Sequence, residues 1–486
     1  MSKIKNINTT NIRDSIRLGC QTMCADFNVT TDDIAIAHLP GRFLNALLNA
    51  QDAAGVAISE ERIQEYTRTA FLSYNGPVAL PMDRETPGGP ILSFCPHNVR
   101  EGFHALYSLV RYRNSREAHR WAEASIKAVF EFFDPDTGWD FTQLEKLGVK
   151  DQNWHDLLFM QGLARSLGPL LKLYRATGFG PALELAIVLK EKLIRECFTE
   201  DGAYNPTTFG PGGHSITCVM SSLAQLADVT RDSRLMDRVK AFYDSGLWEL
   251  RDAVGWSIEV VTNNPGRGES NNSGDILETA LILGRWGHIE AYHDAERIIR
   301  AHLLPSQVRD PSPGWPLGAW GFPSPYGQQT AGAYLSPYFN PDVVGGVVGS
   351  LCEAYRDIAR TDEAGHWVNL LFDHETDAIA IESPYTHSAL RVMVKRPAPL
   401  AVRIPAWVDL AEVATQGVNG TPRFANGRLF IAEPPVGQPI TFHFPLKEQE
   451  IVMKHGEGNI RVRLRGDEVV AMDNLGTQWT FFDPIR

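Results

Sequence analysis

The chain has 486 residues, of which 43% are hydrophobic, and a formal net charge of −12. This composition is typical of a globular protein with more than one domain and excludes a disordered chain. Lys and Arg are not clustered, so neither nucleic acid nor an anionic membrane is expected as a partner. No segment approaches the roughly 20 apolar residues of a membrane span. The polar start at residues 1–6 lacks a signal-peptide pattern, and the sequence therefore predicts a cytoplasmic protein.

The six cysteines are scattered along the chain, and only Cys20 and Cys24 are close together. Their spacing puts them on one helical face, but no second pair accompanies them as a zinc site would require. Reduced and mostly buried thiols are the expected state. The sequence also lacks a phosphate loop, a dinucleotide fingerprint and a serine-centred elbow. We therefore expect no bound metal and no cofactor.

From about residue 9 to residue 361, apolar residues recur at helical spacing in one segment after another. Short turns such as Asp232-Ser233 alternate with long loops that are rich in Gly, Pro, Trp and His. The predicted helices span residues 102–112, 117–133, 156–176, 180–197, 214–229, 233–247, 273–286, 290–304 and 343–360.

This alternation indicates a helical hairpin repeated with a period of roughly 50 to 60 residues. Such hairpins can stack into a closed (α/α)6 toroid or into an open superhelix. We favour the toroid for residues 1–365, because the long loops carry Trp, His and carboxylates that a plain scaffold does not need.

After Gly365 the pattern changes to short segments that alternate or run apolar, separated by Gly, Pro and Asp turns. The predicted strands span residues 367–372, 390–395, 400–404 and 440–444, and strand-like sequence continues from 460 to 483. This predicts an antiparallel β-sandwich over residues 366–486. The fold class is therefore mainly α with a β domain.

The segment most suggestive of chemistry is a loop that holds Trp256, Glu259 and Glu269 and leads into a helix containing Asp275. Cleavage of a glycoside needs one acid that protonates the leaving oxygen, a second carboxylate, and a flat ring that packs on the sugar. We predict that Glu259, Glu269 and Asp275 are catalytic and that Trp256 binds substrate. The alternative is that the acids are solvated loop residues or stabilise the start of a helix.

His214 follows the segment Gly210-Pro211-Gly212-Gly213 and opens an apolar helix. It is predicted to be catalytic, as a proton carrier or a hydrogen-bonding group, with a helix-capping or core histidine as the alternative. Asp151, Trp154 and His155 precede another predicted helix and are predicted substrate contacts, although this segment also fits a simple helix start.

Further substrate contacts are predicted at His97 and Arg100, which head a helix, and at Asn271. Arg100 can pair with a substrate carboxylate or with a neighbouring glutamate. Trp320 and Tyr334 belong to a long aromatic loop. This loop is predicted to be a lid over the toroid mouth, the alternative being an ordered loop packed on the sandwich.

The order of these segments resembles glycoside hydrolase family 127, whose best-known members are β-L-arabinofuranosidases. The likeness covers about residues 95 to 450. It lies in the helical toroid and in the motifs Phe133-Asp134-Pro135-Asp136-Thr137-Gly138-Trp139, Asp275-Ile276-Leu277-Glu278-Thr279-Ala280-Leu281, Tyr292-His293-Asp294-Ala295-Glu296-Arg297, Trp367-Val368-Asn369-Leu370, Val402-Arg403-Ile404-Pro405-Ala406-Trp407 and Phe444-Pro445-Leu446. The resemblance implies a carbohydrate-cleaving enzyme and places Glu259 near the family's acid/base glutamate.

The sequence departs from that family at its metal site. The arabinofuranosidases use a zinc-bound cysteine nucleophile, with ligands from a Glu-x-Cys motif and from a Cys-Cys pair. Here the first motif corresponds to Glu269-Ser270-Asn271, and the second falls near residues 338–342, where no thiol is present. The resemblance therefore implies a hydrolase without the zinc-thiolate centre.

The leading hypothesis is a glycoside hydrolase that acts on an oligosaccharide, either uronate- or arabinose-containing, by carboxylate acid/base chemistry without metal. The resemblance also implies that the sandwich can serve as a contact surface in a homo-oligomer. One alternative is a lyase or dehydratase acting on a uronic-acid sugar. A non-enzymatic sugar-binding scaffold is the third hypothesis. The lyase alternative would use Asn271, Asn272, His214, His155, Arg100 and Tyr334.

Overall fold

The structure is a computed structural model that describes residues 2–3, 11–25, 35–84, 86, 89–149, 158–261, 267–309, 316–321, 341–418, 420, 422–455, 458–473 and 479–486. Four of the predicted substrate-binding residues lie outside these ranges, namely Asp151, Trp154, His155 and Tyr334.

The described N-terminal part of the chain is mainly helical, as predicted. Its α-helices are α1 (Ile12–Cys24), α2 (Ala35–Ala54), α3 (Glu60–Tyr74), α4 (Val99–Arg113), α5 (Arg116–Phe132), α6 (Phe141–Lys146), α7 (Leu167–Thr177), α8 (Gly180–Glu196), α9 (Pro206–Phe209), α10 (Gly213–Thr230), α11 (Ser233–Asp244), α12 (Ser270–Arg285), α13 (Ile289–Arg297) and α14 (Pro341–Asp357). A π-helical segment, Ile298–Leu303, continues α13.

Six helices contact one another in a cycle, and we call them the inner helices. Helix α2 packs on α4, α4 on α7, α7 on α10, α10 on α12, α12 on α14, and α14 again on α2. Each inner helix also contacts an outer helix. The outer contacts are α1 with α14, α3 with α2, α5 with α4, α8 with α7, α11 with α10 and α13 with α12.

Local sequence explains how these hairpins turn and which side of a helix is buried. Helix α4 ends at Asn114, whose φ of 51° lies in the left-handed region that asparagine tolerates. Ser115 then caps α5, because its side chain accepts a hydrogen bond from the Ala118 amide at 3.2 Å. Helix α5 buries an apolar stripe, whereas α12 is buried almost all round.

Three predicted helix starts are wrong by three residues or more. The helix predicted from residue 102 begins at Val99. The helix predicted from residue 156 begins at Leu167, after 3-10 turns at Phe159–Gln161 and Leu163–Ser166. Between these turns, Gly162 has a ψ of −116°, which no α-helix accommodates. Helix α12 begins at Ser270 and not at residue 273, so that Glu269 occupies its N-cap position.

Helices α2 and α4 approach closely at Gly41. A Cβ atom on this glycine would lie 1.8 Å from the backbone oxygen of Glu101. We expect Gly41→Ala to lower the free energy of unfolding by about 1–3 kcal/mol, because the two backbones would have to separate. The urea midpoint measures this loss.

Gly349→Ala is the matched control, because a Cβ atom on this α14 glycine would meet only Asn45 Nδ2, at 3.9 Å. We expect this control to be neutral or slightly stabilising, since alanine is the better helix former. Equal midpoints for the two variants would show that α2 and α4 are not in close contact at this point.

The C-terminal part of the chain is built from strands, as predicted. They are β6 (Ala359–Asp362), β7 (Gly365–Val368), β8 (His374–Glu375), β9 (Ile379–Glu382), β10 (Leu390–Val394), β11 (Leu400–Arg403), β12 (Ala414–Gln416), β13 (Arg423–Ala425), β14 (Arg428–Ile431), β15 (Pro439–His443), β16 (Glu448–His455), β17 (Gly458–Arg465), β18 (Glu468–Met472) and β19 (Trp479–Thr480). Short pairs elsewhere comprise β1 (Ser2–Lys3), which pairs with β19, β2 (Met82–Arg84) with β3 (Ile91–Phe94), and β4 (Phe133–Asp134) with β5 (Gly138–Trp139).

Two five-stranded sheets have the orders β12-β15-β10-β9-β8 and β13-β14-β11-β7-β6. The prediction of an antiparallel sandwich is wrong at one strand pair within these two sheets. Strands β7 and β11 run parallel, with Leu400 opposite His366. The reason is topological, because the chain leaves β7 to build β8, β9 and β10 of the other sheet before it returns as β11.

Apolar side chains of both sheets, such as Val392 and Val402, belong to one buried cluster that continues into the helices. The third sheet, β16-β17-β18, packs differently. Its Ile460 and Val462 share a separate buried cluster with Trp256 and Ala301 of the helical part. The end of the chain therefore covers the loop that precedes α12. No helix among the described residues is long and apolar enough to cross a bilayer.

Candidate active site

Charged and polar side chains gather where the inner helices begin. Helices α2, α4, α10, α12 and α14 each place at least one such side chain in their N-terminal half, and the 3-10 turn before α7 supplies another. We call this set the mouth cluster, and it consists of Arg42, Arg100, Glu101, Arg165, His214, Glu269, Asp275 and Asp342.

Glu101 lies at the base of the mouth cluster and is completely buried. Its Oε1 lies 2.6 Å from Arg100 Nη1, 3.2 Å from Arg42 Nε and 3.5 Å from Arg165 Nη2. Burial raises the pKa of this carboxyl, but the three guanidinium groups outweigh burial and hold the pKa well below its usual range. Glu101 is therefore ionised and fixes the positions of the arginines.

Asp342, at the start of α14, is the most exposed carboxylate of the mouth cluster, with 24% of its side chain accessible. Arg42 Nη1 lies 2.9 Å from one of its oxygens and His38 Nε2 lies 3.2 Å from the other. Burial opposes ionisation, but the charges of Arg42 and His38 outweigh it, and the pKa lies below its ordinary value. Asp342 therefore supplies an accessible negative charge at neutral pH.

His214, in the first turn of α10, lies between the cations and two acids. Its Nδ1 is 3.3 Å from Arg165 Nη2 and 3.4 Å from Arg42 Nη2, so that it accepts from guanidinium groups. Burial, and next the charge of Arg42, hold the pKa of His214 well below its ordinary value. The ring is therefore neutral, and its proton resides on Nε2.

Glu269 and Asp275 lie on the two sides of the His214 ring. Glu269 Oε1 is 3.7 Å from Nδ1, and Asp275 Oδ2 is 3.6 Å from Nε2. Burial raises the pKa of Glu269 to about 7, with a further contribution from the charge of Glu259. Burial raises the pKa of Asp275 to about 8. Both groups can therefore carry a proton near neutral pH, which a general acid requires.

Hydrogen bonds fix these two carboxyl groups. Asn271 Nδ2 donates to Glu269 Oε1 at 3.0 Å, and Thr217 Oγ1 donates to Asp275 Oδ2 at 2.9 Å. The structure thus brings five predicted residues together, namely Arg100, His214, Glu269, Asn271 and Asp275.

The loop before α12 reaches this position because it pairs with the segment before α10. The Gly213 amide donates to the Glu259 carbonyl at 2.8 Å, and Ile258 and Gly268 form an antiparallel bridge. A Cβ atom on Gly213 would lie 2.4 Å from the Ile258 carbonyl oxygen, so only glycine allows this approach.

Glu259 lies in the same loop as Glu269, but it is engaged in an ion pair. Arg267 Nη2 donates to Glu259 Oε1 at 2.9 Å. Burial raises the pKa of Glu259, while Arg267 opposes that shift. Glu259 therefore contributes charge next to Glu269, and its own carboxylate is held by an arginine.

The other predicted substrate-binding residues that the structure describes are Arg100, His97, Trp256 and Trp320. Their surroundings differ from one another. Arg100 belongs to the mouth cluster and pairs with Glu101. His97 stacks on His38, with 5.4 Å between ring centroids, and lies 2.9 Å from the Gln161 carbonyl through Nδ1. Trp256 is buried beneath the sheet β16-β17-β18, and Trp320 is buried with its Nε1 donating to the Leu303 carbonyl at 2.7 Å. These two rings are packed in cores and not against the mouth cluster.

The sequence analysis did not predict Arg42, Glu101, Arg165 and Asp342 as site residues. Glu101, Arg165 and Asp342 share one signal, which is a charged residue within two positions of the start of an inner helix, whereas Arg42 lies seven positions after the start of α2. That signal identifies a site only when it recurs on several helices whose starts lie at the same end of the fold.

Two side chains of the mouth cluster, together with the neighbouring Cys218, offer metal ligands. Ligand atoms of His214, Cys218 and Asp275 lie within 4.8 Å of one another. Imidazole, thiolate and carboxylate are zinc ligands, and His214 and Cys218 are one turn apart on α10. The surroundings are nevertheless cationic, because Arg42 and Arg165 both contact the His214 ring. Burial also raises the pKa of the Cys218 thiol.

The zinc-thiolate centre of the resembled family needs several thiolates in one place, whereas this cluster offers the single thiol of Cys218. Asn271, at the position of a family cysteine, uses its amide to hold Glu269. The residues present therefore do not fit that centre, and no step of the proposed chemistry passes through a metal.

We expect metal-free protein and the Cys218→Ala variant to keep activity within about twofold of the wild type, because neither a metal nor the thiol carries a step. Initial rates after dialysis against a chelator, with and without added zinc, test this expectation. The expectation would be contradicted if the chelated protein were active only after zinc is added and if Cys218→Ala abolished that activity.

Comparison with known proteins gives a likeness of fold. No protein-family model matches the sequence, and no curated protein matches it either. A GH127 β-arabinofuranosidase structure matches with a TM-score of 0.62 and 15% identity, covering 94% of this chain and 78% of that one. A GH127 β-L-arabinofuranosidase from Geobacillus stearothermophilus T6 has a TM-score of 0.61 and 14% identity, over 94% of this chain and 80% of that one. A third structure, described as a glycoside hydrolase, has a TM-score of 0.61 and 12% identity, over 95% and 84%. The chain thus has the fold of these solved glycoside hydrolases.

Proposed function

We propose that this protein hydrolyses a glycosidic bond in an oligosaccharide, by carboxylate chemistry at the mouth cluster and without metal. In this proposal, the inner and outer helices of residues 1–365 form a closed (α/α)6 toroid and residues 366–486 form a β-sandwich domain. The cycle of helix contacts and the likeness to solved glycoside hydrolases support this architecture.

One observation carries the chemical part of the proposal. Two carboxyl groups with raised pKa values, the largely covered Glu269 and the buried Asp275, flank the neutral ring of His214 at 3.7 Å and 3.6 Å. A glycosidase needs a carboxylic acid that is still protonated at the working pH, together with a second carboxylate that is ionised.

The environments assign these two roles. Glu269, with a pKa of about 7, donates the proton to the departing glycosidic oxygen. Asp342 is ionised and accessible beside Arg42, so it either removes a proton from the water that attacks the sugar carbon or attacks that carbon itself as the nucleophile. Asp275 holds the His214 ring in place from its other side. This assignment moves the acid role from Glu259, which is paired with Arg267.

A panel of chromogenic glycosides and uronide oligosaccharides tests the proposal. We expect reducing sugar to be released from at least one member by the wild type and not by Glu269→Gln. The anomer formed first, read by proton NMR, then distinguishes retention from inversion. Equal release of reducing sugar by the wild type and by Glu269→Gln would refute hydrolysis at Glu269. The absence of release by either protein from every saccharide in the panel would refute it too.

A second function is favoured by the arginines around His214. Arg42 and Arg165 lie 3.4 Å and 3.3 Å from Nδ1, and Arg100 is partly exposed beside them. Such cations can stabilise the charge that develops when a base removes a proton beside a uronate carboxylate. A uronate lyase or dehydratase would generate an unsaturated product. A rise in ultraviolet absorbance without hydrolytic cleavage in the same panel would select this alternative.

A further inference from the structure

A polar cavity lies at the opposite end of the inner helices from the mouth cluster. Its volume is about 460 Å³. All six inner helices contribute to its wall, and none of its described lining residues belongs to the mouth cluster. Representative lining residues, one from each inner helix in chain order, are Asp52, Tyr107, Lys172, Gln225, Glu278 and Glu353.

The cations at the rim of this cavity are paired with acids. Arg356 contacts Asp52 at 2.6 Å and Glu353 at 3.0 Å, and Arg285 contacts Asp357 at 2.8 Å. These arginines lie in the last turns of their helices, where a positive charge is also favoured by the helix dipole. Ordinary stabilisation of the helix ends therefore explains them.

Lys172 lies in the middle of α7 and is not explained in this way, and Arg111, although it lies in the last turn of α4, lacks the acidic partner that the other two arginines have. Within the described chain, Lys172 has no acidic partner within 4.0 Å, although it lines the same cavity as Glu278. Arg111 lies over the Tyr112 ring at 5.7 Å and likewise has no acidic partner among the described residues. Two cations thus border a cavity whose carboxylates they do not contact.

The other side of the cavity offers hydrogen-bonding groups. Glu278 accepts from Ser221 at 3.2 Å and from Ser350 at 3.0 Å, and a carboxylate can accept further bonds from ligand hydroxyls. Gln225 lies beside it and donates to Ser221 at 3.3 Å. Tyr107 adds an aromatic surface, since its ring packs edge-on against Tyr112. Carboxylate, amide and aromatic groups together suit a sugar ring.

We propose that this cavity binds a small polyhydroxylated anion, with Lys172 and Arg111 facing its negative group and Glu278 and Gln225 facing its hydroxyls. The volume suits a single sugar unit. Sugar acids and sugar phosphates share the required chemistry. The site is separate from the mouth cluster and does not depend on which reaction occurs there.

Isothermal titration of the 486-residue protein with galacturonate, glucose 6-phosphate, galactose and inorganic phosphate tests the proposal. We expect saturable binding of galacturonate or glucose 6-phosphate, and the stronger of the two identifies the anionic group. Galactose and inorganic phosphate should each bind at least about tenfold more weakly, because each lacks half of the recognised chemistry. Binding by inorganic phosphate as strong as by the sugar anions, or by none of the four, would overturn the proposal.

Variants locate the binding. Lys172→Met should weaken it at least about tenfold and Lys172→Arg should largely restore it. Lys127→Met, at an exposed position on α5, is the matched control and should leave it unchanged. Should Lys172→Met fail to fold by circular dichroism, Arg111→Gln at the exposed rim supplies the same measurement. Wild-type affinity in Lys172→Met, or in Arg111→Gln used in its place, would overturn the assignment to this cavity.

Discussion

Glu269→Gln is expected to lower kcat by about 10²–10⁴-fold at a pH below 7, because the amide cannot donate the proton that the leaving oxygen requires. The substitution keeps the size of the side chain, and the glutamine oxygen can still accept the hydrogen bond from Asn271. Initial rates on a substrate from the glycoside panel measure the effect.

Glu184→Gln is the matched control for this prediction. Glu184 is exposed on the outer helix α8, and its replacement should leave kcat unchanged. A loss of less than about tenfold in Glu269→Gln would remove Glu269 from the acid role.

Glu101→Gln is expected to destabilise the protein by about 3–5 kcal/mol, because it leaves buried guanidinium groups without their shared counter-charge. Arg42, Arg100 and Arg165 all contact Oε1 of this carboxylate. Of these three arginines, only Arg42 has a second acidic partner in the described chain, and that partner is Asp342. The free energy of unfolding from urea titration at neutral pH measures the loss.

The same carboxylate predicts how stability depends on pH. Its pKa in the folded protein is below the ordinary value of 4.5, so its contribution is present above pH 4.5 and is lost as the pH falls through the folded pKa. Wild-type stability should therefore decline on acidification more steeply than that of Glu101→Gln. Glu131→Gln, at an exposed position on α5, should behave as the wild type. Equal stability of Glu101→Gln and Glu131→Gln at neutral pH would contradict the role given to Glu101.

The sequence predicted the helices and many of the strands because their apolar periodicity is local. Helix α11 begins at the predicted Ser233, and β10 begins at the predicted Leu390. Local pattern carries no information on which distant segments meet. Arg42 and Asp342, which form one ion pair of the site, are 300 positions apart.

The carboxylates of the site were partly predictable for the same reason. Glu269, Asp275 and His214 stand at loop-to-helix junctions, which is a local feature. Their pKa values depend on burial and on Arg42, Arg165 and Glu259, which only the folded chain brings near them. The position of Asp342 at the head of a predicted helix gave no sign that Arg42 and His38 would keep it ionised.

The structure places the Trp256 ring in a core, which the sequence did not indicate. The residue follows a glycine turn, a position that also suits a sugar-stacking ring. Its ring instead belongs to one buried cluster with Met453, Ile460 and Val462 of the C-terminal sheet β16-β17-β18. Burial against a sheet formed by the end of the chain cannot be inferred from the residues around Trp256.

The dependence of kcat/KM on pH, measured on metal-free protein, tests the central claim most directly. Glu269 must be protonated to act, and its pKa is about 7, so kcat/KM should fall as the pH rises through about 7. The account predicts this falling limb in the wild type and its absence in the residual activity of Glu269→Gln. A pH profile of kcat/KM that is flat through this range would contradict the account. So would a metal-free protein that is inactive and regains activity when zinc is added.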